Sequence, residues 1–255
     1  MSKPRCAIVV SSCDGYRDVW RPFFERLWEY WSDCPYPVFL LSNHRSLPDR
    51  RVMPILAGDI TAWSDSLRFA LEGLDHDVVF LVIDDLLLAR AVDTRIVEQY
   101  VELFADESVN YVRLAGRPRP RTLDVPKRVV GAIPPRTVYR TATVMSLWRR
   151  TCLLRLLAPG ETAWQFETAG SDRSDAESGF YAVSRDVIRY ENAIIKGRWR
   201  PSVLSALGGD VVRPLSREVM TARDERLLAL RKYLNAALYA LPVGGQRNIR
   251  GWFRR

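Results

Sequence analysis

Histidine and cysteine are scarce in this chain, at two and four of 255 residues. The cysteines Cys6, Cys13, Cys34 and Cys152 are widely spaced, form no C-x-x-C pair and have no histidine set beside them. That excludes the usual structural zinc sites and leaves the thiols as reduced residues of the core. His76, between Asp75 and Asp77, reads as a turn residue. No run approaches the roughly 20 apolar residues of a spanning helix. No G-x-G-x-x-G follows the first apolar run and no G-x-x-x-x-G-K occurs, so the common glycine cradles for dinucleotides and triphosphates are excluded. Low-complexity tracts and fixed-period repeats are also absent, which removes disordered and solenoid architectures.

A hydrophobic fraction of 47% and a charged fraction of 27% are those of an ordinary globular protein, and the length suits one α/β domain. Lys3 and Arg5 precede a short apolar run that ends at Cys13-Asp14-Gly15 without a small-residue cleavage site. The run therefore reads as a first strand, and the chain as cytoplasmic. The net charge of +8 implies attraction to anions. Its basic residues are spread out and thicken only at Arg247, Arg250, Arg254 and Arg255, a pattern that suits an anionic membrane surface better than nucleic acid.

Continuous apolar runs at 6–11, 38–42, 78–83 and 109–115 read as buried strands. Between them, apolar residues recur at helical spacing from Val19 to Trp31, from Trp63 to Leu74 and from Val97 to Phe104, with Pro22 placed in a first turn. This alternation predicts an α/β fold with a mostly parallel sheet flanked by helices in a single domain. Past Ala115 the rhythm breaks into Pro- and Arg-rich sequence. A strand is expected at Val138–Val144, a helix at Leu147–Leu157, a capped helix from Thr162 with Gln165 as capping-box partner, and a mobile polar loop at 170–179.

Ligands of open α/β sheets bind beyond the carboxyl ends of the strands, which singles out Cys13-Asp14-Gly15, Ser42-Asn43 and Asp84-Asp85. Two adjacent carboxylates at the end of a buried strand repel each other unless a cation or donors meet them. A hard divalent ion bridging substrate phosphates would do so, and so would a turn or helix cap; the pair alone does not choose between them. With no glycine cradle, a diphosphate would be held by metal plus arginine or lysine.

In several blocks the sequence resembles bacterial GT-A-type glycosyltransferases of capsule and O-antigen assembly. The blocks are Ile8–Tyr16, Ala62-Trp63-Ser64 with Leu67 and Arg68, Phe80–Asp85, Leu147–Arg150, Trp164–Glu167 and Ile194–Trp199, in that order over residues 6 to 200. The resemblance implies a GT-A-like fold and a metal, Mn2+ or Mg2+, on Asp85, with Asp84 serving the sugar nucleotide or the same metal. It implies base and ribose contacts from Ser11, Asp14 and Tyr16, and diphosphate contacts from Arg68, Lys196 and Arg198. Glu167 would be the general base of an inverting transfer, with Trp164 and Phe166 offering aromatic surface to a sugar ring. A donor-binding half would span about 1–116, an acceptor-binding half about 117–215, and a C-terminal helix with basic tail 216–255. The donor would be a UDP- or GDP-sugar rather than a CMP-sugar, and the acceptor a saccharide or lipid-linked saccharide. The fold's customary late histidine ligand is missing here, since both histidines lie early.

Two other functions compete. A nucleotidyltransferase shares such a sheet and acidic site, but usually carries a glycine-rich basic loop where this chain has Ser11-Ser12-Cys13-Asp14. A non-catalytic basic module binding nucleic acid or membrane would have no use for Asp85.

Overall fold

A computed structural model describes residues 3–120, 130–208 and 217–228. The strands expected from the first apolar runs form as β1 (Cys6–Ser11), β2 (Val38–Ser42) and β4 (Val78–Ile83), with a further strand β3 (Val52–Leu56) at the sheet edge. β3 escapes the apolar pattern because Met53 and Leu56 face solvent and Pro54 interrupts its donors, both tolerated only on an edge. Later strands are short: β6 (Tyr111–Arg113), β7 (Val130–Ala132), β8 (Ser146–Arg149) and β9 (Phe180–Val183).

The sheet order is β3-β2-β1-β4-β8-β6-β9-β7. β1 to β4 pair in parallel, as do β6 and β9, while β8 runs antiparallel to β4 and β6 and β7 antiparallel to β9. The predicted mostly parallel α/β sheet is therefore the observed one. β8, from the second half of the chain, sits between two strands of the first half, so both halves share one sheet.

Alternation along the strands builds a core on each face. Ile8, Val10, Leu40, Phe80 and Val82 pack with Trp20, Phe23 and Leu27 of α1 (Arg17–Tyr30) and Val97 and Val101 of α3 (Thr94–Val101). Val9, Leu41, Val79 and Leu81 pack with Leu67, Ala70 and Leu71 of α2 (Trp63–Gly73) and Cys152, Leu153 and Leu156 of α4 (Arg150–Leu156). Pro22 stands at the sixth position of α1, beyond the first turn, with its ring buried.

Three local expectations are corrected. Residues 138–144 form turns and bends, and the strand begins at Ser146. Tyr139 and Met145 hold positive φ angles of 54° and 33°, which end any extended run, and the buried Arg113 and Arg140 bond the carbonyls of this segment and its neighbours. The helix expected at 147–157 starts three residues later, because Leu147 and Trp148 belong to β8. The stretch 170–179 is mostly helical rather than a loose loop: Ser171–Arg173 and Ser174–Ala176 form consecutive turns with Ser171 and Ser174 buried. Arg140 donates to the carbonyl of Ser174 and, at 3.0 Å, to that of Glu177. Gly179 closes the stretch at φ +74°, where a Cβ would lie 1.8 Å from the Ser108 carbonyl oxygen.

All four cysteines are unpaired. No helix among the described residues is long and apolar enough to cross a membrane. The tail expected to meet a membrane lies outside the described residues beyond Leu228.

Candidate active site

The chain steps from β1 outward to β3 and returns to β4 on the other side of β1, so the strand order reverses between β1 and β4. Their carboxyl ends place Ser11 level with Ile83, and the turns that follow carry Ser12 and Asp84. A crevice at such a reversal is where open α/β sheets bind ligands.

Two indoles organise it. Trp63 Nε1 donates to Ser11 Oγ at 2.9 Å, and Trp20 Nε1 donates to Ser12 Oγ at 2.6 Å. Ser12 Oγ in turn donates to Asp84 Oδ2. Asp84 is 2% exposed, and burial pushes its carboxyl well above the usual carboxylate range, with Asp85 adding to the rise. Asp85 is only partly buried, and loss of solvent raises its carboxyl to about 6. Its own backbone N–H faces it, and no described side chain donates a hydrogen bond to it.

Asp14 braces the front of the crevice. Its carboxylate accepts the backbone N–H groups of Asn43, His44 and Arg45, each at 3.2 Å. Asn43 Nδ2 continues to the carbonyls of Gly58 and Ile60 at 3.1 and 2.9 Å, so the turns after β1, β2 and β3 are tied together. Tyr16 is half-buried; its hydroxyl is pushed up first by burial and next by the charge of Asp85.

A second carboxylate approaches from the other half of the chain. Thr162 and Gln165 form the expected capping box of α5 (Ala163–Gln165), and a wide helical turn, Phe166–Gly170, carries Glu167. Glu167 Oε1 accepts from the Thr143 backbone N–H at 2.9 Å and from its hydroxyl at 2.8 Å. Behind Asp85, β5 (Leu86–Leu88) pairs with β10 (Tyr190–Asn192), and Ala193 N donates to the Asp85 carbonyl at 2.7 Å. The Tyr190 hydroxyl is pushed up to about 12 by burial and then by Asp186, with Glu167 and Asp85 both adding to the rise. Phe166, next to Glu167, packs with its ring 5.4 Å from that of Trp63, whose indole donates to Ser11, which brings this turn to the crevice. Trp164 and Phe166 part company: Trp164 is 66% exposed with Tyr139 edge-on at 6.3 Å, while Phe166 is core.

The remaining candidates fall elsewhere. Arg68 donates to the carbonyls of Leu154 and Leu157 at 3.2 and 2.7 Å, bracing α2 against the end of α4. Lys196 is exposed at φ +51° in the turn between β11 (Ile194–Ile195) and β12 (Arg198–Trp199), and Arg198 pairs with Asp224 at 3.3 Å. Ser12, Thr143 and Tyr190 enter the site without being singled out by sequence. Ser12 had a signal in its place after the first strand, whereas Thr143 lies far along the chain from Glu167.

Among the described residues no three His, Cys, Asp or Glu side chains cluster into a protein-only metal cage. Asp85 nevertheless fits a divalent ion shared with substrate phosphates, which needs only one or two carboxylates. A cation there would offset the desolvation that raises both acidic groups.

No protein-family model matches the sequence, and no curated protein matches it. Among solved structures the chain is similar to the mannosyltransferase PcManGT from Pyrobaculum calidifontis in complex with GDP-Man and Mn2+, at 16% identity and TM-score 0.48 over 77% of this chain and 59% of that one. It is similar to glucosyl-3-phosphoglycerate synthase from Mycobacterium tuberculosis in complex with Mn2+ and UDP-glucose, at 12% identity and TM-score 0.46 over 82% and 77%. It is also similar to a cytidylyltransferase from Leptospira borgpetersenii, at 12% identity and TM-score 0.40 over 64% and 68%. The chain spans about three fifths of the mannosyltransferase's length. Likeness at this level concerns the sheet and its helices alone.

Proposed function

We propose that the chain transfers a sugar from a nucleoside-diphosphate sugar to a hydroxyl of a saccharide or lipid-linked saccharide, with inversion at the anomeric carbon. The observation that carries this reading is that the acidic pair Asp84-Asp85 stands at the strand-order reversal while Phe166, next to Glu167, packs 5.4 Å from Trp63, the indole that donates to Ser11. A donor-side acid and an acceptor-side base at one crevice are what glycosyl transfer requires.

On this reading the turn after β1, with Ser11, Asp14 and Tyr16, shapes the pocket for base and ribose. Asp85 holds Mn2+ or Mg2+, which would neutralise the leaving diphosphate. Asp84, fixed by Ser12, sets the turn that presents Asp85. The requirement for a diphosphate favours UDP- or GDP-sugars over CMP-sugars.

Glu167 removes the acceptor proton. Thr143 holds its Oε1 twice, and Oε2 carries no hydrogen bond among the described residues, which leaves one fixed and one available oxygen. As the acceptor oxygen bonds to the anomeric carbon, the bond from that carbon to the diphosphate oxygen breaks, the proton passes to Glu167 and the nucleoside diphosphate leaves. The exposed Trp164 offers an aromatic face to the acceptor ring.

A role in bacterial surface polysaccharide assembly at the inner membrane face belongs to the same proposal. It is supported by the block resemblance and by Arg247, Arg250, Arg254 and Arg255. Sedimentation with anionic liposomes, with and without the last ten residues, tests the membrane element. Acceptor-dependent release of nucleoside diphosphate across a panel of donors, with the product anomer read by NMR, tests the chemistry. No release from any donor, or retention of configuration, overturns the corresponding part.

A further inference from the structure

Arg217 reaches the turn after β1 from the far end of the described chain. Trp199 N donates to Glu218 O at 2.9 Å and Met220 N to Trp199 O at 3.0 Å, laying residues 218–220 along β12. Two ion pairs hold the residues that follow: Arg198 with Asp224 at 3.3 Å, and Arg200 with Glu225 at 2.9 Å. The segment is therefore held against β12, with Arg217 at its leading edge.

There the guanidinium is gripped on one side only. Nε donates to both carboxylate oxygens of Asp18 at 3.1 and 2.9 Å, Nη2 donates to the Gly15 carbonyl, and Cζ lies 4.1 Å from the Tyr16 ring centroid. Arg217 and Asp18 are 15% and 14% exposed. Among the described residues Nη1 takes part in no bond and Nη2 in one, so three of the five guanidinium N–H donors are left over. A latch between the C-terminal segment and α1 needs only the Asp18 pair. A guanidinium oriented by a carboxylate, packed on an aromatic ring and keeping a free fork is also the arrangement that meets phosphate oxygens.

We propose that Arg217 is a phosphate-binding residue of the donor site, gripping the diphosphate of the nucleotide where the turn after β1 faces the acidic pair. The inference rests on reading the crevice as a nucleoside-diphosphate site. It assigns to Arg217 the role that the resemblance implies for Arg68 and Arg198, both of which are engaged elsewhere.

The test is calorimetric titration of UDP and GDP with Mn2+, and of uridine and guanosine, into the full-length wild type, Arg217→Ala, Arg217→Lys and Asp18→Asn. Loss of a charged hydrogen-bond pair predicts a roughly 10- to 100-fold weaker diphosphate affinity in Arg217→Ala, with nucleoside affinity unchanged. Arg217→Lys should recover part of it, because charge without the fork is retained. Asp18→Asn keeps the guanidinium but loses the carboxylate that orients it, and should weaken diphosphate binding less than Arg217→Ala does. Equal losses in Arg217→Ala and Asp18→Asn, or parallel losses for nucleoside and diphosphate, would make Arg217 a structural latch and overturn the proposal. Undiminished diphosphate binding by Arg217→Ala overturns it alone, whereas a wild type that binds neither diphosphate overturns the site reading with it.

Discussion

Thr143 holds one carboxylate oxygen of Glu167 with both its backbone N–H and its hydroxyl, at 2.9 and 2.8 Å. Twenty-four residues separate the two, and the intervening chain crosses β8 and α4, so the pairing exists only in the fold. A surface glutamate has no need of such a grip. A base that must present one oxygen in a constant direction does.

Glu167→Gln should therefore keep donor binding and lose turnover by roughly two to four orders of magnitude, the usual contribution of general-base catalysis. Thr143→Val removes the hydroxyl bond but leaves the backbone donor, and should lower kcat less than Glu167→Gln does. Steady-state kinetics beside nucleotide titrations separates the effects. Turnover of Glu167→Gln within a few-fold of wild type would remove the residue from the mechanism.

Asp85 couples stability to pH with a definite sign. Its carboxyl stands near 6 in the fold against an ordinary value of 3.8, so the folded state holds the proton more tightly. Ionisation therefore weakens the fold progressively from about pH 4, and the loss is complete above about pH 6. Asp85→Asn should raise Tm at pH 8, by an amount equivalent to about 1–3 kcal/mol, and leave it little changed at pH 4. Thermal melts at the two pH values check this. Equal effects at both would mean that the carboxyl is not desolvated as the fold implies.

Ser12→Ala strands two buried groups, the Trp20 indole N–H and the Asp84 carboxyl. A cost of about 1–3 kcal/mol for each group left unpaired is expected in chemical denaturation. A variant as stable as wild type would show that neither group depends on Ser12.

Arg68→Ala should destabilise by about 1–3 kcal/mol through loss of its bonds to the carbonyls of Leu154 and Leu157, without changing nucleotide affinity. Weakened nucleotide binding at undiminished stability would return Arg68 to the diphosphate.

The parts legible in the sequence are those where one stretch of chain carries its own signal. β1 and β4 read as continuous apolar runs because helices cover both faces, and the acidic pair stands out by ending the second run. β3 does not, because an edge strand is free to expose Met53 and Leu56 and to contain Pro54. The turns at 138–144 mimic a strand, since the buried Thr141 and Thr143 bond Phe166, Ser171 and Glu167 rather than facing sheet neighbours. Arg217 had no local mark at all: 199 residues separate it from Asp18, and only the return of the chain along β12 makes it part of the site.

The central claim is that Asp85 binds a divalent ion together with a nucleoside-diphosphate sugar. Its most direct test is calorimetry of UDP-, GDP-, CMP- and dTDP-sugars, with and without Mn2+, into wild type and Asp85→Ala. The account predicts that at least one diphosphate donor binds only with Mn2+, that the CMP-sugar does not, and that Asp85→Ala loses the binding while its circular dichroism remains that of wild type. Binding that ignores Mn2+ and survives in Asp85→Ala, or no binding of any donor to wild type, would contradict it.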